Sequence, residues 1–281
     1  MSGGELSSGM GEMTKEEMPW AEVLWRAYLT GDHSNLGPMV HGVKSVFSLL
    51  PSDPRCRVCA APFRGPGSVI ASLLGFGSGH STMNPTLCVR CENIVKAHEV
   101  GIETTVTLMF ADIRGSTTLA QELGPSAFHK VIDRFYNVAT DALIASDALI
   151  EKLIGDEVAG IYAPGIAGPN HAARALEAAT ALLEGTGHRD PGGPWAGVGA
   201  GIHTGTAYVG AVGAAHSMSV ITVLGDAANT AARLASNAQA GEILVSEGCA
   251  SGGLDVAGTE RRELQLRGRA EPLMCHVIKV D

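Results

Sequence analysis

The hydrophobic positions change texture along the chain. Residues 1–13 are Gly- and Ser-rich with few apolar anchors, a composition typical of disorder. Met18, Trp20, Val23 and Leu24 then recur at helical spacing, and an amphipathic helix is expected whose apolar face packs into the core as the first reading, with a partner or a second subunit as the alternatives. From Pro51 to Cys91 the chain is loop-like, rich in Gly, Pro and Ser, and residues 92–103 read as a short linker helix. Beyond Glu103, apolar strands alternate with apolar-striped helices, the pattern of an α/β layer structure.

Thr104 to Ile113 is β-rich and contains Asp112 near its end. Gly124-Pro125 opens a helix with Phe128, Val131, Ile132, Phe135 and Val138 on one face. Two strands follow, parted by the tight-turn pair Gly155-Asp156. Asn170 is placed to cap a helix carrying Leu176, Ala179, Leu182 and Leu183. From Trp195 to Thr204, Val198, Ala200 and Ile202 alternate with Gly197, Gly199 and Gly201. One strand face is therefore apolar and the other bare, which invites close packing. Ser217 to Leu224 is a further strand. Asp226 is expected to cap an Ala-rich helix through Leu234, and Glu242–Ser246 and Leu273–Val280 supply late strands. The glycines at 197–201 lead into strand rather than helix, so they are no dinucleotide loop. His188-Arg189-Asp190 lacks every other kinase motif.

At 281 residues the chain has room for one full domain and a smaller one. No apolar run reaches the length of a membrane span. The acidic start, with Glu5, Glu12, Glu16 and Glu17, lacks the pattern of a secretory signal, so a cytoplasmic protein is expected. The net charge of -9 argues against a general nucleic-acid binder, which needs excess Lys and Arg.

Of six cysteines, four form two C-x-x-C pairs, Cys56/Cys59 and Cys88/Cys91. In a reducing compartment such pairs point to metal. A structural tetrathiolate zinc site is the first reading, an iron–sulfur cluster the second, and free thiols the third. Arg55, Arg57, Arg64 and Arg90 are available to offset thiolate charge, and His80 is a spare ligand that more ordinarily is just solvated.

Asp112 at a strand end and Asp156 at a hairpin turn are awkward alone, beyond a turn-capping role, but together invite a divalent cation. Arg114-Gly115-Ser116-Thr117 lies at a strand-to-helix junction whose free N–H groups suit phosphate. Asn229 and Arg233, four apart on a helix, share a face. The bland reading of Arg233 is a solvated surface cation. Beside an amide on an Ala-rich helix, it is also suited to neutralising a phosphate.

Three segments carry a resemblance. Val106–Thr117 (VTLMFADIRGST), Lys152–Tyr162 (KLIGDEVAGIY) and Thr222–Leu234 (TVLGDAANTAARL) resemble, in order and spacing, the three motifs of class III nucleotidyl cyclases. The resemblance covers residues 104–281. It implies a ferredoxin-like βαββαβ core within an α/β (α+β) fold, preceded by a tail and helix (1–50), a zinc-ribbon-like four-cysteine module (51–91) and a linker helix (92–103). It further implies an adenylate cyclase, a phosphorus–oxygen lyase that turns ATP into 3′,5′-cyclic AMP and pyrophosphate. Asp112 and Asp156, with the Ile113 carbonyl, are implied ligands of two Mg²⁺ or Mn²⁺ ions. Lys152 is implied to donate to adenine N1, with Thr222 as the second purine contact, the Thr-type pairing of class IIIb. Gly115, Ser116 and Thr117 would hold phosphate, Asn229 would orient the ribose, and Arg233 would stabilise the transition state. Arg267 aligns loosely with a terminal-phosphate contact. Ser116 stands where many members have Phe, and Glu242 where some animal enzymes have a phosphate-binding Arg. In this family the metal residues face the Lys, Thr, Asn and Arg of a second subunit, and this chain holds the full set, so the implied assembly is a homodimer. The alternatives are a silent nucleotide-binding regulator, and a metal- or redox-sensing protein that uses the cyclase fold for dimerisation. Loss of a metal Asp (Asp112 or Asp156), Asn229 or Arg233 would mark the silent regulator, and none is lost.

Overall fold

A computed structural model describes residues 20–34, 38–50, 54–73, 79–81, 84–214, 218–265 and 271–280. In chain order the elements are α1 (Trp20–Thr30), α2 (Pro38–Ser48), α3 (Pro66–Leu73), α4 (Val89–Ala97), β1 (Gly101–Ile113), α5 (Ser116–Leu123), α6 (Pro125–Ala145), β2 (Leu149–Ile154), β3 (Glu157–Tyr162), α7 (Pro164–Ala167) and α8 (His171–Gly185). They continue with β4 (Val198–Ala214), β5 (Met218–Leu224), α9 (Asp226–Asn237), β6 (Glu242–Ser246), a 3₁₀ turn (Glu247–Gly252), β7 (Glu260–Leu264) and β8 (Leu273–Lys279).

The strands make one sheet in the order β2-β3-β1-β4-β6-β8-β7, with β5 paired to β4. The segment β1-α6-β2-β3-α8-β4 is the expected ferredoxin-like unit: β3 lies between β2 and β1, and each neighbour is antiparallel. The strand β6 returns parallel to β4. Both faces of β1 are covered, which is why it reads as a nearly continuous apolar run. Met109, Ala111 and Ile113 join Phe135, Leu143, Ala175, Ala179 and Leu182 of α6 and α8. Val106, Leu108 and Phe110 join α1, α4 and α9 on the other side. Thr107, buried on the α8 side, is satisfied by His171 Nδ1 at 2.7 Å and Thr204 Oγ1 at 2.6 Å.

The bare face of β4 receives α9 as expected. A Cβ on Gly201 would lie 2.2 Å from Ala235 N, and one on Gly199 2.8 Å from the Ala238 carbonyl oxygen. Ala227, Ala231 and Ala235 are the buried face of this helix. Asp226 does not cap it. Gly225, at φ 128°, occupies that position, and Asp226 sits in the first turn, where its charge suits the helix dipole.

Two further expectations shift. The buried face of α1 is Ala21, Trp25, Tyr28 and Leu29, whereas Trp20 is 54% exposed and meets His98 edge-on. The reason is Trp25, whose indole N–H donates to the Val209 carbonyl at 2.9 Å and anchors the helix on β4. Met18 lies outside the described residues. The helix expected at 92–103 runs instead from Val89 to Ala97, because Cys88 Sγ accepts from Cys91 N and caps it. A left-handed Glu99 (φ 49°) follows, and β1 starts at Gly101, opposite Gly210. The segment 51–91 also holds more order than its composition suggests, including α3 and short bridges joining Arg55 to Pro62 and His80 to Cys88. Among the described residues no helix is long and apolar enough to cross a membrane.

Candidate functional site

The two acidic candidates meet. The strands β1 and β3 place Asp112 opposite Glu157, and Ile113 N donates to the Asp156 carbonyl at 3.2 Å, so the 155–156 turn folds over the end of β1. Gly155 makes that turn at φ 63°, and the Tyr136 hydroxyl on α6 donates to the Gly155 carbonyl at 2.9 Å. Burial pushes the Asp112 carboxyl up to about 6; Arg114 pulls the other way and the nearby Asp156 carboxyl adds to the rise. Asp112 Oδ2 pairs with Arg114 Nη2 at 2.6 Å, while Asp112 Oδ1 is buried without a hydrogen-bond partner among the described residues. A buried acceptor left over beside a second carboxylate is a costly arrangement that a cation relieves. The donor set therefore fits divalent metal, with Asp112, Asp156 and the Ile113 carbonyl as the groups available to hold it.

Arg114 was not foreseen in this position. Its guanidinium reaches the Asp112 carbonyl and also the Ser236 and Ala238 carbonyls at the end of α9. It thereby ties the acidic pair to the helix that bears Asn229 and Arg233. Gly115 adopts φ 68° and caps α5, leaving Ser116 and Thr117 in the first turn with N–H groups not used within the helix. A residue with a Cβ would be strained at Gly115.

On β2, Lys152 Nζ pairs with Glu157 Oε1 at 2.7 Å and lies 5.0 Å from the centre of the Phe110 ring. Thr222 on β5 donates to Glu151 Oε1 at 2.6 Å. The acidic residue Glu151 was missed in the sequence. Its signal was a charged residue directly before Lys152 in an otherwise apolar strand.

The remaining pair stands apart. Asn229 is exposed and Arg233 half-exposed, on the side of α9 turned away from the sheet that Ala227, Ala231 and Ala235 bury against. Arg233 makes no ion pair among the described residues. Neither side chain makes a hydrogen bond or ion pair with Asp112 of its own chain among the described residues. Arg267 lies outside the described residues. Glu242 is buried, accepts two 2.8 Å bonds from Arg262 and is held below the usual carboxylate range by them, so it is a structural ion pair. His188 is likewise structural, its Nε2 accepting from Val198 N at 3.0 Å.

The four cysteines converge, with all four sulfurs within 4.8 Å of one another. Cys59 and Cys88 Sγ are 3.8 Å apart, the spacing of about 3.8 Å that tetrahedral thiolates around a single zinc would show. Cys88 N donates to Cys56 Sγ and Cys91 N to Cys88 Sγ, bonds that stabilise thiolate charge. Hydrogen bonds from Cys56, then Cys59 and Cys91, hold the Cys88 thiol low, while the same crowding, led by Cys56, pushes Cys59 and Cys91 up. Four buried thiols so placed do not all ionise without a cation, and the set fits a metal. His80 is not among the clustered ligands; its Nδ1 lies 3.0 Å from the Ser81 carbonyl. Ala60, just after the first pair, is left-handed at φ 60° with its N–H bonded to the Cys56 carbonyl. Ala60→Gly is expected to relieve this and stabilise the fold by about 1 kcal/mol, read by denaturant unfolding.

Comparison with known proteins places the acidic pair in context. The sequence profile described as "Adenylate and Guanylate cyclase catalytic domain" matches residues 99–280. Adenylate cyclase 1 of Rhizobium meliloti is 33% identical over 134 residues, 46% of this chain and 20% of that protein. The adenylate cyclase of Anabaena cylindrica is 30% identical over 142 residues, 48% of this chain and 28% of that one. The chain thus spans about a quarter of the length of these curated relatives. Among solved structures, the adenylyl cyclase CyaB from P. aeruginosa superposes with a TM-score of 0.56 at 26% identity, over 64% of this chain and 96% of that one. The guanylyl cyclase Cya2 gives 0.58 at 22% identity, over 64% and 95%, which speaks for the fold alone. Matches on both sides of the adenine–guanine divide leave the base to be argued from the residues of this site. With the profile spanning the whole sheet and all three motif segments, the chain belongs to the adenylate and guanylate cyclase catalytic domain family.

Proposed function

We propose that the protein is an adenylate cyclase that converts ATP to 3′,5′-cyclic AMP and pyrophosphate at sites shared between two copies of the chain. The observation that carries this reading is the split set. Asp112 and Asp156 meet at one end of the sheet with a buried acceptor to spare, while Asn229 and Arg233 are turned outward on α9. A two-fold dimer brings each half to its complement.

Asp112, Asp156 and the Ile113 carbonyl are the groups to hold two Mg²⁺ or Mn²⁺ ions. Bound there, the cations would neutralise the triphosphate and lower the pKa of the ribose 3′-hydroxyl. The side chains do the rest. Lys152 only donates and suits adenine N1, an acceptor, whereas guanine presents a donor at that place. Thr222 faces the exocyclic group, the pairing of the Thr-type subclass. Asn229 orients the ribose. The free N–H groups at Gly115, Ser116 and Thr117 hold phosphate oxygens. The 3′-oxygen bonds the α-phosphorus as its proton leaves, and the bond to the departing pyrophosphate breaks. Arg233 stabilises the charge that grows on the α-phosphoryl oxygens.

The cysteine cluster is read as a structural zinc site. Sulfurs this close suit one ion better than a core of several irons. We assign the module ahead of β1 a regulatory role, because Leu87 and α1 share the hydrophobic layer that backs β1 and Lys152's neighbour Phe110.

An assay of purified protein with ATP and with GTP, in Mg²⁺ and in Mn²⁺, tests the function. Cyclic AMP from ATP is expected, with far less cyclic GMP from GTP. Cyclic GMP as the main product would overturn the choice of base, and no product from folded dimer would favour the silent regulator.

A further inference from the structure

Thr222 poses a problem for base selection. A hydroxyl both donates and accepts, so alone it greets the N6 amine of adenine and the O6 carbonyl of guanine equally. In this structure its single proton is committed. Thr222 Oγ1 donates to Glu151 Oε1 at 2.6 Å, and a carboxylate has no proton to return. What remains on the hydroxyl is its lone pairs.

Glu151 reaches Thr222 through an irregularity in the strand. The pairing of β2 with β3 shifts between Ile150 and Lys152, leaving Glu151 out of the ladder. Such a bulge frees a side chain from strict alternation and re-aims it. The second carboxylate oxygen, Oε2, is buried with no hydrogen-bond partner among the described residues. An unmet buried acceptor is costly unless a donor arrives. Next to it stands Lys152, the residue assigned to the ring nitrogen of the base.

We propose that Glu151 is a specificity-determining residue of the nucleotide site, holding Thr222 as an obligate acceptor and so selecting the amine-bearing purine. The inference rests on the reading of this site as a nucleotidyl cyclase. Adenine brings an N–H donor to an acceptor-only pair. Guanine brings a carbonyl, and two acceptors then face each other with no proton between them.

Glu151→Gln keeps the shape and changes the polarity. If the amide NH₂ faces Thr222, the hydroxyl proton is released toward the base. If the amide oxygen faces Thr222, the NH₂ takes the place of Oε2. Only the first orientation frees a donor for guanine O6; in the second Thr222 still gives its proton to the amide oxygen, so Glu151→Ala, which offers no acceptor at all, is measured beside it. The experiment measures kcat/KM for ATP and for GTP in wild type, Glu151→Gln, Glu151→Ala, Thr222→Val and the double variant of Glu151→Gln with Thr222→Val. Glu151→Gln should lower the ATP:GTP ratio by at least about tenfold. Thr222→Val should lower it too, and adding Glu151→Gln to Thr222→Val should lower it less than Glu151→Gln does alone. A merely structural Glu151 would lower both nucleotides together and leave the ratio intact, and that result overturns the proposal. Displacement of a fluorescent nucleotide by ATP and GTP reads the same ratio if turnover is slow. A wild type that turns over neither purine sinks the cyclase reading and the inference with it; a wild type that turns over both alike, or an ATP-selective wild type whose ratio is unchanged in Glu151→Gln and Glu151→Ala, sinks the inference alone.

Discussion

Asp112→Asn is expected to abolish the proposed cyclic AMP formation, with a fall of at least about 10³-fold, and to leave the protein as stable as before or more so. The two halves of this expectation have one cause. Burial pushes the Asp112 carboxyl up to about 6, which means that the fold disfavours its charge. Asparagine removes that charge while keeping size and hydrogen bonding. The Arg114 pair is lost, but both side chains are partly exposed, so its net worth is small. A carboxylate kept against the interest of stability is a mark of function. Cyclase rate and thermal midpoint, measured on the same preparation, check both halves. Activity within tenfold of wild type would show that Asp112 is not a metal ligand of the reaction.

Cys88→Ser is expected to lose about one equivalent of zinc per chain and to lower the melting midpoint by about 10 °C or more. Cys88 has several tasks at once. Its sulfur accepts from Cys91 N and caps α4, its own N–H supports Cys56 Sγ, and it lies 3.8 Å from Cys59 Sγ. Metal analysis and calorimetry together read the change. Retained metal would contradict the tetrathiolate site, and iron with an absorbance band in place of zinc would redirect it to a cluster. The substitution is also the cleaner probe of regulation. Deleting residues 1–91 would strip Trp25, Leu29 and Leu87 from the layer over β1, and any loss of activity would then be a packing defect.

Much of the catalytic fold could be read from the chain because its signals are local. The Gly155-Asp156 turn, the glycine-bare strand ahead of Thr204 and the apolar run ending at Ile113 each state their structure within a few residues. Of the candidate site, Asp112 and Asp156 stand out because one sits at a strand end and the other at a turn, whereas Lys152 and Thr222, inside β2 and β5, were marked by the resemblance alone. What escaped depends on partners far along the sequence. The inner face of α1 is set by Trp25 finding the Val209 carbonyl, 184 residues away. The start of α4 is set by a cysteine that caps it. Glu151 could be seen as a charged residue in a strand, but its meeting with Thr222 follows from a register shift that no periodicity announces. Asp226 was misplaced as a cap because Gly225, one residue earlier, takes the position with a backbone conformation open to it.

The shared site is tested most directly by complementation. Asp112→Asn and Arg233→Ala are each expected to be inactive. Co-expressed in equal amounts, they form mixed dimers in which one of the two sites draws its acidic pair from the Arg233→Ala chain and its Asn229 and Arg233 from the other. Random pairing makes half of the dimers mixed, each with one whole site, so the mixture should recover about a quarter of wild-type cyclic AMP formation. A mixture no more active than either variant alone would contradict the split site and place the reaction within a single chain or nowhere in it.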